Sequence, residues 1–352
     1  MVENHGLLSS CLPTTIVPAL IQGATGFEPL LVYKWYSIIL LPLLPVIVFM
    51  LVRRFVGGVN AFWATMLFMA QMYFLEALAY ARVNIALLFL GGSLLVIFRG
   101  GQTRTRYWVM CLALMAIGVV ISHYGTAYAM LFVLGVTAIG LLGRKLIMRV
   151  KDKTLKPILL TSGLLAVCIG IWYMGVTEVP WQAGKGVAVN TVSPPGEVAV
   201  TVEGEEFGFF DLEARSPVVQ AAFGKTLPSM NTAQRVEFVF SWLSILLLSY
   251  GLSLALFNRN MREKLGVGFV LLLGACYLTI LMGVISPSLS RQYGIARIYY
   301  TALVPLSLCF AIGVIDLSKR IKLPASITMG FVVIPLFLCT TGTLHSLIGL
   351  SR

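Results

Sequence analysis

Few residues in this chain have chemistry to offer, and most stand at the ends of apolar stretches. ISHYGTAYAM, residues 121–130, gathers Ser122, His123, Tyr124, Gly125 and Thr126 inside one of its most apolar parts. An imidazole such as that of His123 can give or take a proton near neutral pH. Glu76 is the one acid well placed within an apolar segment, and a carboxylate there could act as general base on a hydroxyl. Arg291 and Arg297 bracket QYGIA, and a guanidinium holds phosphate through two parallel hydrogen bonds. Each residue also has a plainer reading. Glu76 could pair with Arg82, six positions on, since an unpaired carboxylate at membrane depth is costly. The two arginines could instead reach out to lipid headgroups.

The elements that carry these residues decide between such readings. Hydrophobic residues make up 58% of 352 positions and charged residues 11%, against roughly 25% charged in a soluble domain. With a mean hydropathy of +0.91, the chain reads as an all-α, polytopic transmembrane helix bundle. Apolar runs of about 20 residues, the length that spans a bilayer, predict about ten spans. They fall near 30–52, 59–80, 83–98, 107–122, 125–142, 157–176, 236–257, 265–285, 297–315 and 326–346. Alternate connections then hold 17 of the 26 Lys and Arg and only Asp152, Glu263 and Asp316 of the 14 acids. Basic loops stay cytoplasmic, which predicts a cell-membrane protein with both termini outside.

Four segments follow. Residues 1–28 form an outer tail with an interfacial apolar stretch, broken by Pro13, Pro18 and Gly23. Residues 29–176 and 236–352 carry six and four spans. Between them, 177–235 is an outer capping loop, too poor in apolar residues to fold alone. Within it, GEVAVTVEGEE alternates like a strand. RSPVVQAAFG predicts a short helix, with Ser216 as N-cap, Pro217 at the first position and Gly224 as terminator.

The polar cluster now has a place. Tyr107 to Leu142 is 36 residues; one straight helix of that length would run about 54 Å, beyond a hydrocarbon core of about 30 Å. The stretch must turn once, and the cluster lies at its middle. Either the turn dips below the surface and forms the floor of an outward-facing cavity, or it is an interfacial turn. In the second case Tyr124 and Tyr128 join the aromatic belt and His123 is solvated.

Several function classes fall away. The formal charge of +12 follows the loops and no window resembles a nucleic-acid module, so no nucleic-acid partner is expected. Six scattered cysteines without a C-x-x-C give no zinc site or disulfide framework. P-loop, G-x-G-x-x-G, H-E-x-x-H and G-x-S-x-G motifs do not occur. No metal is expected, and no cofactor is identified.

LPTTIVPALIQGATG, VYKWYSIILLPLLPVIVF, AYARVNIALLF, ISHYGTAY, FFDLEARSPVVQAAFG, ARIYYTALVPLSLCFAIG and PLFLCTTGTLHSL follow one another along most of the chain. This order resembles a family of archaeal multi-pass membrane proteins of unknown function. That family is itself distantly similar to GT-C glycosyltransferases, which take sugars from polyprenyl-phosphate carriers at the outer face. The resemblance implies a GT-C-like bundle whose partners are membrane lipid and a polyprenyl-phosphate-linked sugar. The family's S-H-Y turn falls on Ser122, His123 and Tyr124, its arginine before the third span on Arg82, and its R-x-Y on Arg297 and Tyr299. Catalysis would then rest on Glu76 and His123, and substrate binding on Arg82, Tyr124, Arg291, Arg297 and Tyr299. The chain departs from the pattern where relatives read R-Q-E, since Arg82, Val83 and Asn84 offer no carboxylate. GT-C enzymes also carry an acid in a first outer loop, after a helix that would precede this chain. That points to a missing N-terminal segment, or to a partner subunit. The alternative on the same scaffold is a non-catalytic membrane subunit or a transporter of lipid-linked glycan.

Overall fold

The computed structural model of the protein describes residues 11–76, 80–98, 106–149, 152–192, 200–202, 205–207 and 211–347. It is helical apart from one short antiparallel hairpin, Val200–Val202 with Glu205–Phe207, where the alternating valines predict a strand. Among the described residues, seven helices are long and apolar enough to cross a membrane: Pro29–Val56, Ala81–Phe98, Tyr124–Met148, Leu155–Met174, Thr232–Phe257, Val267–Ile285 and Leu289–Ile321. Much of their surface is apolar and exposed, as at Leu30, Trp35, Ile39 and Val46. Such faces are matched to lipid rather than water. The chain is built as a multi-pass membrane protein.

The other three expected spans are occupied by shorter apolar helices, Gly58–Met69, Arg106–Ser122 and Ala325–Thr340. The shortness has local causes. Twelve residues rise only about 18 Å, and Gly58–Met69 is bounded by Gly57 at φ 80° and by Ala70. Beyond that end, Gln71 Nε2 donates to the Leu67 carbonyl that the helix leaves open. Pro324 starts Ala325–Thr340, and Gly342 at φ 76° follows its end.

Contacts divide the chain into two compact units interleaved in sequence. One comprises Met1–Leu51, Glu76–Lys185 and Gly266–Ala275. Here the Leu12–Thr25 helix carries Pro13 in its first turn, where a missing N–H costs nothing. The Phe89 ring lies over Gly118, where a Cβ would collide with it, so Ala81–Phe98 and Arg106–Ser122 pack closely.

The other unit comprises Val52–Leu75, Gly186–Leu265 and Cys276–Arg352. At its centre runs Ile295–Ile321, where every residue from Tyr300 to Val314 is buried. A helix apolar on all sides must be surrounded by others. Thr232–Phe257, Gly58–Met69 and Ala325–Thr340 surround it. The first comes nearest. A Cβ on Gly251 would fall on the Cys309 carbonyl oxygen, and one on Gly313 on that of Leu247. Small residues that let two backbones approach so closely are the usual device for packing helices in a membrane.

Candidate functional site

The polar cluster is a built break between two helices. Arg106–Ser122 ends there, His123 is extended at φ −159° and ψ 114°, and Tyr124–Met148 begins. A helix end leaves carbonyls and amides without partners, and at a buried end each needs one. Ser122 Oγ donates to Gly118 O at 2.5 Å, the His123 amide to Val119 O at 3.1 Å, and Tyr173 Oη to Val120 O at 2.5 Å. On the other side, Thr126 N–H donates to His123 Nδ1 at 3.1 Å and Ala127 N–H to the His123 carbonyl at 3.1 Å. Ser122, His123 and Thr126 are at most 3% exposed. The solvated histidine of the interfacial reading is therefore corrected: His123 is a buried N-cap. It holds Nδ1 toward the backbone, with Thr126 Oγ1 also 3.0 Å away.

Capping predicts its own outcome. His123→Ala should cost about 1 kcal/mol, the usual worth of an N-cap, and His123→Asn should restore most of it. Thermal unfolding in detergent reads both. Equal losses in the two variants would refute the capping role.

The remaining candidates of this unit are spread out. Tyr124 is half-buried, its ring 5.2 Å from that of His123. Arg82, in the first turn of Ala81–Phe98, turns Nη1 toward Cys11 Sγ at 4.0 Å. Glu76 stands exposed in a turn, and among the described residues no ion pair joins it to Arg82. Arg82 faces Cys11, just ahead of the Leu12–Thr25 helix, instead. Tyr128, expected in an aromatic belt, donates to the Pro180 carbonyl at 3.1 Å with its ring 5.6 Å from that of Tyr173. Tyr173 is fully buried and was not anticipated from the sequence. Its only signal there was a hydroxyl within an apolar run.

Arg291, Arg297 and Tyr299 lie in the second unit. Arg291 is taken up by structure: Nε donates to Ala214 O at 2.7 Å and Nη2 to Glu213 O at 2.6 Å. Arg215 makes the opposite connection. Its Nε and Nη2 donate to Val284 O and Ile285 O, both at 3.0 Å, and Nη1 to Asp211 O at 2.5 Å. One arginine thus caps the end of the Val267–Ile285 helix, where the dipole is negative, and the other caps the turn at Leu212–Ala214. The Pro217–Ala222 helix begins beside this clasp as expected, with Gly224 at φ 84° just beyond it. Ser216 caps by position only, its amide donating to Ser290 Oγ at 2.9 Å. At the half-exposed Glu213, its own backbone amide and Lys225 hold the carboxyl below the usual range.

Arg297 is placed differently. It is half-buried in the first turn of the central helix and donates from Nε to Tyr73 Oη at 3.1 Å. The Tyr73 ring is 5.8 Å from that of Tyr300, which stacks on Phe68 at 4.7 Å. Tyr299, two positions from Arg297, points elsewhere, since i and i+2 lie on different faces of a helix. Its hydroxyl is turned toward Ser244. The R-x-Y pair is therefore split, and Tyr73 and Tyr300 accompany Arg297 in its place. Among the described residues, no group of three His, Cys, Asp or Glu could hold a metal ion.

Comparison with family models, with curated proteins and with solved structures gave no match.

Proposed function

We propose that this multi-pass membrane protein binds a polyprenyl-phosphate-linked sugar at the outer membrane face. It would do so on a GT-C-like scaffold of ten crossings with both termini outside, as a binding subunit or carrier rather than as the transferase. The observation that carries this reading is Arg297. Tyr73 fixes its guanidinium through Nε, so that a phosphate would compete for the edge formed by Nη1 and Nη2. Phe68, Tyr73 and Tyr300 supply an apolar, aromatic wall beside it. A cation in the first turn of a helix opposes the dipole, and an anionic headgroup would offset that cost. Against a transferase stand the commitments of the catalytic candidates. His123 Nδ1 caps a helix, and Glu76 is exposed rather than held toward a substrate.

The test is ligand binding by the full chain in lipid nanodiscs, followed by a sugar-transfer assay. Arg297→Ala should weaken binding of a polyprenyl-phosphate sugar by about 1.5–3 kcal/mol, the scale of a charge-assisted hydrogen bond. Arg297→Lys should recover only part, because an ammonium is no planar fork. No sugar should be transferred. Unchanged affinity in Arg297→Ala would remove that residue from the site. Transfer that disappears in Glu76→Gln would replace the binding role with catalysis.

A further inference from the structure

The central helix of the second unit has chemistry at its far end too. Asp316 and Lys319 follow Arg297 by about 30 Å along the helix axis, roughly the thickness of a hydrocarbon core. There a cavity of about 400 Å³ opens among four segments of this unit. Phe55 and Asn60 line it from either side of the Gly57 turn, Lys264 from the short helix Arg259–Leu265, and Ile315, Asp316 and Lys319 from the central helix. All of these segments adjoin basic connections that the sequence assigns to a single side of the membrane. They do meet at one place.

The charge in this cavity is one-sided. Asp316 Oδ2 accepts from Tyr250 Oη at 2.5 Å and from Arg320 Nε at 2.9 Å, so its negative charge is already offset by a cation. Lys264 and Lys319 are exposed at the lining, and neither takes part in an ion pair among the described residues. The excess is positive. The rest of the lining is mixed, with Asn60 beside the apolar Phe55, Ile312 and Ile315. Val59 and Phe62, on the helix that supplies Asn60, are exposed. Cations beside this exposed apolar surface suit an amphiphile better than a free anion. The volume lies within the range of about 300–1,000 Å³ usual for small-molecule sites. Basic pockets between membrane helices bind phosphate headgroups in this way.

We propose that this cavity binds the headgroup of an anionic membrane phospholipid, with Lys264 and Lys319 holding the phosphate and the Val59–Phe62 surface meeting an acyl chain. The inference is independent of the ligand assigned to Arg297. It is tested with the purified full chain in neutral detergent, titrated with phosphatidylglycerol, phosphatidylcholine or inorganic phosphate and followed by native mass spectrometry. Phosphatidylglycerol should be retained over phosphatidylcholine. Lys264→Gln with Lys319→Gln should weaken its retention about tenfold, from the loss of two phosphate-directed cations. Ile315→Trp keeps both charges and fills the cavity, and it should also weaken retention, which covers the case of a double variant that does not fold. Equal retention of phosphatidylglycerol by wild type and Ile315→Trp would overturn the proposal. Displacement of the lipid by equimolar inorganic phosphate would assign the cavity to a free anion and overturn it as well.

Discussion

Gly251→Leu is expected to prevent assembly of the second unit, and Gly251→Ala to destabilise it by about 3 kcal/mol or more. Overpacking a tight core costs about 1–3 kcal/mol when side chains can yield. Here the new Cβ meets a backbone carbonyl, that of Cys309, in a helix buried on every side. Nothing flexible is available to move. Gly313→Ala should behave alike, since its Cβ meets the Leu247 carbonyl. The two glycines report on one contact, so the double variant should cost less than the sum of the singles. Unfolding in a graded series of denaturing detergent measures all three. Alanine at Gly251 with unchanged stability would mean that these helices do not approach so closely.

Arg215→Ala is the second large effect, at about 3 kcal/mol. The side chain is 8% exposed and joins three carbonyls, two of them at the end of a membrane helix. Its removal leaves those oxygens without the charged donor, and a charge-assisted bond contributes about 1.5–3 kcal/mol. Lysine would satisfy one carbonyl and abandon the fork, so Arg215→Lys should recover less than half. The same thermal measurement in detergent decides. A loss confined to ligand affinity, with stability intact, would make Arg215 a binding residue instead of a clasp.

At both residues the local sequence leaves the contact undetermined. Arg215 lies in the motif FFDLEARSPVVQAAFG beside Ser216 and Pro217, whose preferences are local, while its partners Val284 and Ile285 lie 69 and 70 positions on. An arginine at the end of a span, such as Arg291, is equally suited to phosphate, lipid headgroups and backbone carbonyls. The carbonyls it binds belong to residues almost 80 positions away. No local pattern contains that separation. The same holds for Gly251 and Gly313. A glycine in an apolar run is compatible with loose or tight packing, and only the partner helix shows which.

Where the governing physics is local, the sequence by itself determined the outcome. Without water to bond the backbone, apolar runs of spanning length must be helical; among the described residues seven of the runs hold helices of spanning length, and Gly58–Met69, Arg106–Ser122 and Ala325–Thr340 are shorter. The length of 107–142 required one break, and the break falls at His123. Pro217 and Gly224 bounded their short helix through φ preferences that need no neighbour. The tertiary structure alone decided how the polar groups are used. A hydroxyl, imidazole or guanidinium can serve the backbone or a ligand with the same atoms, and the choice depends on which orphaned carbonyls and amides folding brings within about 3 Å. At His123, Arg215 and Arg291 the fold supplies such groups, and their bonds go to the backbone. At Arg297 one partner is another side chain, Tyr73, whose hydroxyl lies 224 positions away in sequence and 3.1 Å away in space.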